Sequence, residues 1–400
     1  MDMEFTVRVA TSIAEIDRSV WDGCANPTTG GAVAVLPYNP FVSYDFLAAL
    51  EAAGTVGGRT GWAPAHVVVA DAGGTVRACA PAYLKSHSMG EYVFDRAWAE
   101  AYSRAGGHYY PKLQISVPFT PATGRRLLVA PGPDEDMARQ ALISGLRALR
   151  QQLDASSIHI TFLPKAEWEV VAESGFLQRT DQQYHFFNEG YGSFEDFLTA
   201  LASRKRKMIR RERRESVAEG ITIERLTGDA ITEKHWDAFF KFYMDTGSRK
   251  WGSPYLNRPF FSRIGATMPE RILLIMAKRA GRYIAGAINF IGDDALFGRN
   301  WGAIEHHPML HFEVCYYQAI EFAIERKLAR VEAGAQGEHK IARGYRPVTT
   351  YSAHDIADPR LRRAIADYLV RERAYVEESH EVLSDHIPFR RDVEREIDAT

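Results

Sequence analysis

The chain has 400 residues and only three cysteines, Cys24, Cys79 and Cys315. An odd number without metal-ligand spacing excludes a disulfide framework and a cysteine-based zinc site, and it fits reduced core thiols. An excess of charge of one sign is lacking too: 49 Lys and Arg stand against 51 Asp and Glu, a net charge of -2. No global field draws such a protein to nucleic acid or membrane, so any affinity of that kind has to come from a local patch. No apolar run approaches the ~20 residues of a membrane-spanning helix. The acidic, alternating start MDMEFTVRVATS is unlike a secretory leader, and the expectation is a cytoplasmic protein. Also missing are a Walker A loop, a G-x-S-x-G elbow and a dinucleotide glycine fingerprint.

What is present reads as a globular protein, 46% hydrophobic and 25% charged, with an aromatic share of 12% that includes 18 Tyr and 7 Trp. A chain of this length exceeds one ordinary core, so two domains are expected. Residues 5–9 alternate as a strand, and Ser12 with Glu15 forms a capping box for a following helix. HVVVAD and TVRACAPAYLK make a hairpin. Residues 134–153 form a long helix with Ala138, Leu142, Leu146, Leu149 and Leu153 near helical period, leading into the strand Ile158–Phe162. After about Asn188 the pattern restarts. A helix opens at Ser193, the strand candidates ITIERL, RILLIMAKR, YIAGAINFIG and ALFGRNWGA follow, and a helix from Phe312 to Leu328 feeds a strand over 329–333. Both halves share one order of elements, which points to two α+β domains of one topology, residues 1–189 and 190–400.

Three groups of residues carry chemistry. The densest is the exit of the last strand, GAQGEHKIARGYRP, which holds Gln336, Glu338, His339, Lys340 and Arg343 within eight residues. A carboxylate, an imidazole, an ammonium and a guanidinium at the end of a scaffold strand are the parts of a proton-transfer and anion-binding site; the alternative is a solvated loop. The second is RKRKMIRRERR, residues 204–214. On a helical wheel Phe197, Leu198, Leu201, Met208 and Ile209 share one side, and Arg204, Arg206, Lys207, Arg210, Arg211, Arg213 and Arg214 spread over the other. With only Glu212 and Glu215 nearby to compensate, that surface suits a polyanion rather than mere solvation. The third is a set of weaker signals. His306, His307 and His311 beside Glu313 resemble metal ligands, but Pro308 interrupts the helical spacing and no metal is expected. His311 precedes the helix from Phe312, where an anion could sit. Trp98, Tyr102, Tyr109 and Tyr110 with Lys112 could line a groove, core packing being the commoner fate.

The stretches NPFVSYDFLAALE, GGHYYPKLQISVPFTPATGRRLL, SRKRKMIRRERR, HWDAFFKFYMDTGSRKWGSPYL and LHFEVCYYQAIEF through GAQGEHKIARGYRPVTTYSAH resemble the bacterial FemAB-like N-acyltransferases. That family carries a peptidoglycan biosynthesis or recognition label within the GNAT acyltransferase superfamily, and the likeness runs through nearly the whole chain. The resemblance implies two tandem GNAT-like domains with mixed, mainly antiparallel sheets flanked by helices. It also implies transfer of an acyl group from acyl-CoA or aminoacyl-tRNA to an amine. Residues 204–214 correspond to a cationic helical insertion of Fem-type second domains, and tRNA is then an expected partner. The glycine-rich pyrophosphate loop of CoA-using GNAT domains is replaced by GAIEHHPMLHFE in the second half and FTPATGRRLL in the first, which leaves the donor open. On this reading Glu338 or His339 is the base and Gln336 orients substrate. Lys340, Arg343, His311, Arg299, Tyr109 and Tyr110 contact an anionic small-molecule or peptide acceptor, or the donor. The other expectation is a non-catalytic module that binds RNA or a cell-wall precursor.

Overall fold

The computed structural model describes residues 4–28, 36–250, 254–335 and 337–390, which form two compact units. Residues 1–181 and 350–376 belong to the first, and 182–349 and 377–400 to the second.

The first unit contains β1 (Phe5–Ala10), α1 (Arg18–Ala25), α2 (Tyr44–Ala52), β2 (Trp62–Pro64), β3 (His66–Asp71), β4 (Val76–Ala80), β5 (Ala82–Lys85), α3 (Arg96–Arg104), β6 (Lys112–Ile115), β7 (Leu128–Val129), α4 (Glu135–Gln152), β8 (Ser157–Leu163) and α5 (Lys165–Glu173). Ser12 accepts from Ala14 N but caps only a 3-10 turn, Ile13–Glu15; the helix expected to follow it starts at Arg18, capped by Asp17, which accepts from Ser19 N and Val20 N, and Ser43 caps α2 by accepting from Phe46 N. Strands β1, β3, β4 and β7 lie side by side in that order. The inner face of α4 (Ala138, Leu142, Leu146, Leu149) packs on Val67, Val69, Leu113, Ile115, Ile158 and Ile160.

Strand β9 (Leu177–Phe187) carries the chain onward to α6 (Phe194–Ala200), α7 (Ser203–Ser216), β10 (Ile221–Thr227), α8 (Glu233–Lys250), α9 (Arg258–Thr267), β11 (Ile272–Arg279), β12 (Arg282–Ile291) and β13 (Ala295–Ala303). A helical return then runs through α10 (Leu310–Phe312), a π-helical turn (Glu313–Tyr317) and α11 (Gln318–Glu325), and delivers β14 (Arg330–Glu332). In the second unit the strand order is β10-β11-β12-β13-β14-β9, antiparallel except for the parallel pair β13 and β14. Its core joins Phe186, Phe197, Ile209, Leu273, Ile275, Leu296, Val314, Ile320, Ala323 and Val331. Strand β15 (Arg346–Ile356) and α12 (Pro359–Ser384) end the regular structure; β15 pairs with β8 over Tyr351–Ile356.

One expected element is divided. The helix opening at Ser193 stops at Ala200, because Leu201 takes an extended backbone and bridges to Phe389, while Arg390 N donates to Ala200 O and Ala202 N to Pro388 O. The basic helix α7 therefore starts afresh at Ser203 with its own rotation. Among the described residues no helix is long and apolar enough to cross a membrane.

Candidate active site

The second unit has a gap in its sheet. β13 and β14 pair through Ala295–Arg330, Leu296–Val331 and Phe297–Glu332, and there β14 ends while β13 runs on to Ala303. At the same point the pairing of β13 with β12 shifts: Asn289 faces Gly298 and Ile288 faces Asn300, so Arg299 is the extra residue of a bulge. A bulge bends its strand and breaks pairing locally. Beyond Phe297 no strand among the described residues pairs with β13 on its β14 side, and near its far end Ala303 N donates instead to Thr246 Oγ1 at 3.2 Å.

The helical return packs on this part of the sheet and is widened at Glu313–Tyr317. Gln318 N bonds Glu313 O, and the Gln318 side chain donates to Glu313 Oε1 at 2.6 Å, so backbone and side chain share the five-residue spacing. Five rings stand together here. His311 lies 5.2 Å from Trp301 and 5.4 Å from Tyr316 between ring centres, and His339 lies 5.4 Å from Phe312 and 5.7 Å from Tyr316. The Tyr316 hydroxyl is 3.1 Å from His339 Nε2. Partial burial, with the charges of Arg343 and Lys340 nearby, holds His339 below the ordinary imidazole range and so neutral near pH 7.

Residues 337–344 form a tight loop because glycines stand at both ends, with φ of +99° at Gly337 and +90° at Gly344. A Cβ on Gly344 would come within 2.6 Å of the Phe197 ring. Inside the loop Lys340 is buried, and its Nζ donates to Ala333 O at 2.6 Å and Gly334 O at 3.1 Å. Burial pulls its ammonium down to about 8. Arg343 is buried as well: Nε and Nη2 donate to Glu212 at 3.1 and 2.8 Å, Nη1 donates to His339 O at 2.7 Å, and the guanidinium stacks 3.5 Å from the Phe312 ring centre. Glu212, on the inner face of α7, also accepts from the Tyr317 hydroxyl.

Helix α7 thus has two faces. Arg213 turns inward beside Glu212 and donates to Glu313 and to Glu321 at 2.9 Å. Arg210 pairs with Glu195 and Arg211 with Glu215. Arg204, Arg206, Lys207 and Arg214 make no ion pair among the described residues. Of the other candidates, Arg299 is the bulge residue, and Glu338 begins the loop's 3-10 turn. Gln336 lies outside the described residues. Tyr109 and Tyr110 belong to the first unit, where Tyr109 donates to Asp95 at 2.7 Å and Tyr110 meets Ser88 at 2.8 Å. His307 sits between Glu305 and Glu219, at 3.0 and 3.5 Å.

Sequence reasoning passed over two neighbours of the gap. Glu332 ends β14; its Oε1 accepts from Arg330 at 3.0 Å, and its buried Oε2 has no hydrogen-bond partner among the described residues. His185, opposite it on β9, approaches Oε2 to 3.8 Å and is kept neutral by burial. A charged residue inside the short apolar strand ARVEAG was the available signal.

The profile of the FemAB_like family, described as peptidoglycan biosynthesis/recognition, matches residues 12–391. The chain belongs to this family. Among curated proteins, none matches it. FemX superposes on this FemAB_like chain with a TM-score of 0.52 at 12% identity, over 91% of this chain and 100% of the other. The C-terminal domain (DUF2156) of a protein assigned as a lysylphosphatidylglycerol synthetase from Agrobacterium fabrum gives 0.52 at 9% identity, over 91% and 97%. A tandem GNAT protein from the clavulanic acid biosynthesis pathway gives 0.45 at 13%, over 89% and 99%. The FemAB_like chain has the expected fold: α+β, with two tandem GNAT-like units of mixed, mainly antiparallel sheets flanked by helices.

Proposed function

We propose that the second unit is an N-acyl- or aminoacyl-transferase site centred where β13 and β14 part. The observation that carries this reading is the parting of the strands itself: strand pairing of β13 with β14 ends at Phe297–Glu332, β13 bends at a bulge at Arg299, and an imidazole and a phenol stand together beside it. In acyl transfer, the carbonyl oxygen of the donor gains negative charge as the amine attacks. Main-chain N–H groups along β13 beyond Phe297 would stabilise that oxyanion. The attacking amine must lose a proton, and His339, neutral and tied to Tyr316, is suited to take it, with Glu338 as the other candidate. Gln336 is kept as the group that orients substrate. His311 and Arg299 flank the gap for donor or acceptor.

Lys340 and Arg343 act in this reading through the loop rather than on substrate anions, because their donors are spent on Ala333, Gly334, His339 and Glu212. Anion binding falls to Arg204, Arg206, Lys207 and Arg214, whose outward charge fits the phosphates of an aminoacyl-tRNA. With acyl-CoA the other donor class, native mass spectrometry of the whole protein with acetyl-CoA and with charged tRNA separates the two. A Glu338→Gln/His339→Ala protein should keep its melting temperature and bind donor yet lose turnover. Full turnover in that variant removes both residues from the mechanism. A substrate drawn from peptidoglycan biosynthesis agrees with the family description; the cytoplasmic location and the amine acceptor are part of the proposal.

The internal use of Lys340 and Arg343 also favours a second reading, a non-catalytic module binding RNA or a cell-wall precursor. Binding that collapses on neutralising Arg204, Arg206 and Lys207, with no turnover from either donor, would select it.

A further inference from the structure

The first unit contains a sheet face built almost wholly of polar side chains and yet closed from solvent. In the register of β5 with β6, Tyr83 faces Gln114 and Lys85 faces Lys112; β6 and β8 bring Gln114 beside His159. Alternation puts Tyr83, Lys85, Lys112, Gln114, His159 and Thr161 on the face opposite Ala82, Leu113, Ile115, Ile158 and Ile160 of the apolar core. All six are at most 1% exposed. The covering element is a strap, residues 86–95, between β5 and α3. Lys112 Nζ donates to Ser88 Oγ at 2.9 Å and to Glu91 at 2.7 Å, and also bonds Asp95. Lys85 Nζ and Trp62 Nε1 both donate to Met89 O at 3.1 Å.

Scaffold faces are not normally made this way, since each buried polar group without a partner costs stability. Here five such atoms lie on the face or its strap with no hydrogen-bond partner among the described residues: Tyr83 OH, Gln114 Oε1, Ser116 Oγ, Asp95 Oδ1 and Glu91 Oε1, the last 3.7 Å from Lys85 Nζ. Gln114 Oε1 and Asp95 Oδ1 are acceptors, Glu91, pushed up to about 7 by burial, accepts when ionised and can donate when protonated, and two are hydroxyls, so the complement must both donate and accept. Two ammoniums and two carboxylates balance within the cluster, which offers no net charge to an ion. Beside the strap lies a shallow depression, widely open to solvent, of about 590 Å³, lined by Arg96, Ala99, Glu100, Ser103, Arg104 and Tyr110. Its Tyr110 wall is 2.8 Å from Ser88 of the strap. The strap itself carries exposed Met89, Tyr92 and Phe94, with Tyr92 at φ +61°, a conformation unfavourable for a non-glycine residue.

We propose that this polar face is a second ligand site, for a neutral polyhydroxylated molecule of sugar-ring type. The ligand would reach the face by displacement of the strap where Ser88 meets Tyr110, and the strap would close over it. Hydroxyl groups meet both demands of the orphaned atoms, as donors to Glu91, Asp95 and Gln114 and as partners of Tyr83 and Ser116. The surrounding rings of Trp62, Tyr109 and Tyr110 suit the apolar faces of such a ring. The site does not depend on the transfer chemistry of the second unit.

Water shares the hydroxyl chemistry, and the test separates the two. Thermal shift and isothermal titration of the full chain would use glucose and N-acetylglucosamine, with glucosamine and inorganic phosphate as charged probes. Hydrogen exchange would follow the amides of residues 86–95. A neutral sugar should raise the melting temperature and protect the strap. Ser116→Ala and Tyr83→Phe each delete one orphaned hydroxyl; both should melt no lower than the parent without sugar and bind sugar about five- to tenfold more weakly. Absence of binding by either neutral sugar means a face filled by water alone and overturns the proposal. Binding of only glucosamine or phosphate overturns the ligand class, and sugar binding that leaves the strap unprotected and both variants unaffected overturns the location.

Discussion

Replacing Glu212 with Gln probes the link between the basic helix and the loop of residues 337–344. The side chain keeps its shape and can still accept from Tyr317, but the Arg343 guanidinium, 5% exposed, is left without its counter-charge. Breaking one partner of a buried pair costs about 3–5 kcal/mol, most of it from the charge left behind. For a unit of this size each kcal/mol moves the melting temperature by about 2–4 °C, so a fall of about 6–20 °C is expected in the transition of the second unit. The assay is differential scanning calorimetry, read alongside Arg343→Met and the double variant. Because the charge is the source of the cost, Glu212→Gln/Arg343→Met should recover more than half of the loss, about 2–3 kcal/mol relative to Glu212→Gln alone, and be far less destabilised than the sum of the two single variants. A single variant within about 1 °C of the parent, or a double variant as unstable as the sum, would refute this account of the loop's support.

Three further outcomes follow from the same contacts. Lys340 is held at about 8 in the fold against 10.5 when free, so the unfolded chain binds its proton more tightly. Stability should therefore rise with pH between those values, by about 3 kcal/mol in all, and stay flat below 8; urea melts of parent and Lys340→Met across that range check it. Neutralising Arg204, Arg206, Lys207 and Arg214 together should lower the slope of log affinity for tRNA against log salt by about 3, while the melting temperature holds; Arg213→Ala should instead lower the melting temperature, because Arg213 is spent on Glu313 and Glu321. Gly344→Ala places a Cβ 2.6 Å from the Phe197 ring at a φ of +90°, and a loss of about 1–3 kcal/mol is expected in denaturant melts.

Local information in the sequence went far where a pattern repeats over many residues. The long helix expected over 134–153 is α4, Glu135–Gln152, and its apolar positions are those buried on the sheet. Ser43 and Ser193 cap the helices they precede, whereas Ser12 caps only a 3-10 turn. The repeated order of elements, with the family resemblance, gave the α+β tandem fold. The expected helix through residues 193–214 failed at Leu201, since the break is made by pairing with Phe389, almost two hundred residues away. The helical wheel drawn through that break set Arg213 among the outward charges, whereas the restarted α7 turns it with Glu212 toward the core.

Composition, periodicity, capping and glycine placement determined which segments are helices and strands and where a dense polar loop leaves the last strand of the second unit. These are properties of neighbours along the chain, and 3.6- and 2-residue periods report them directly. Which charges are spent and which remain free was decided by tertiary contacts: Arg343 with Glu212, Lys340 with the carbonyls at the end of β14, and Glu332 beside the gap with one oxygen that has no hydrogen-bond partner among the described residues. The gap has the same origin, because it is the place where two strands 35 positions apart stop pairing. Desolvation and hydrogen-bond satisfaction depend on what lies within a few ångströms in space, and the linear order of residues does not contain that distance.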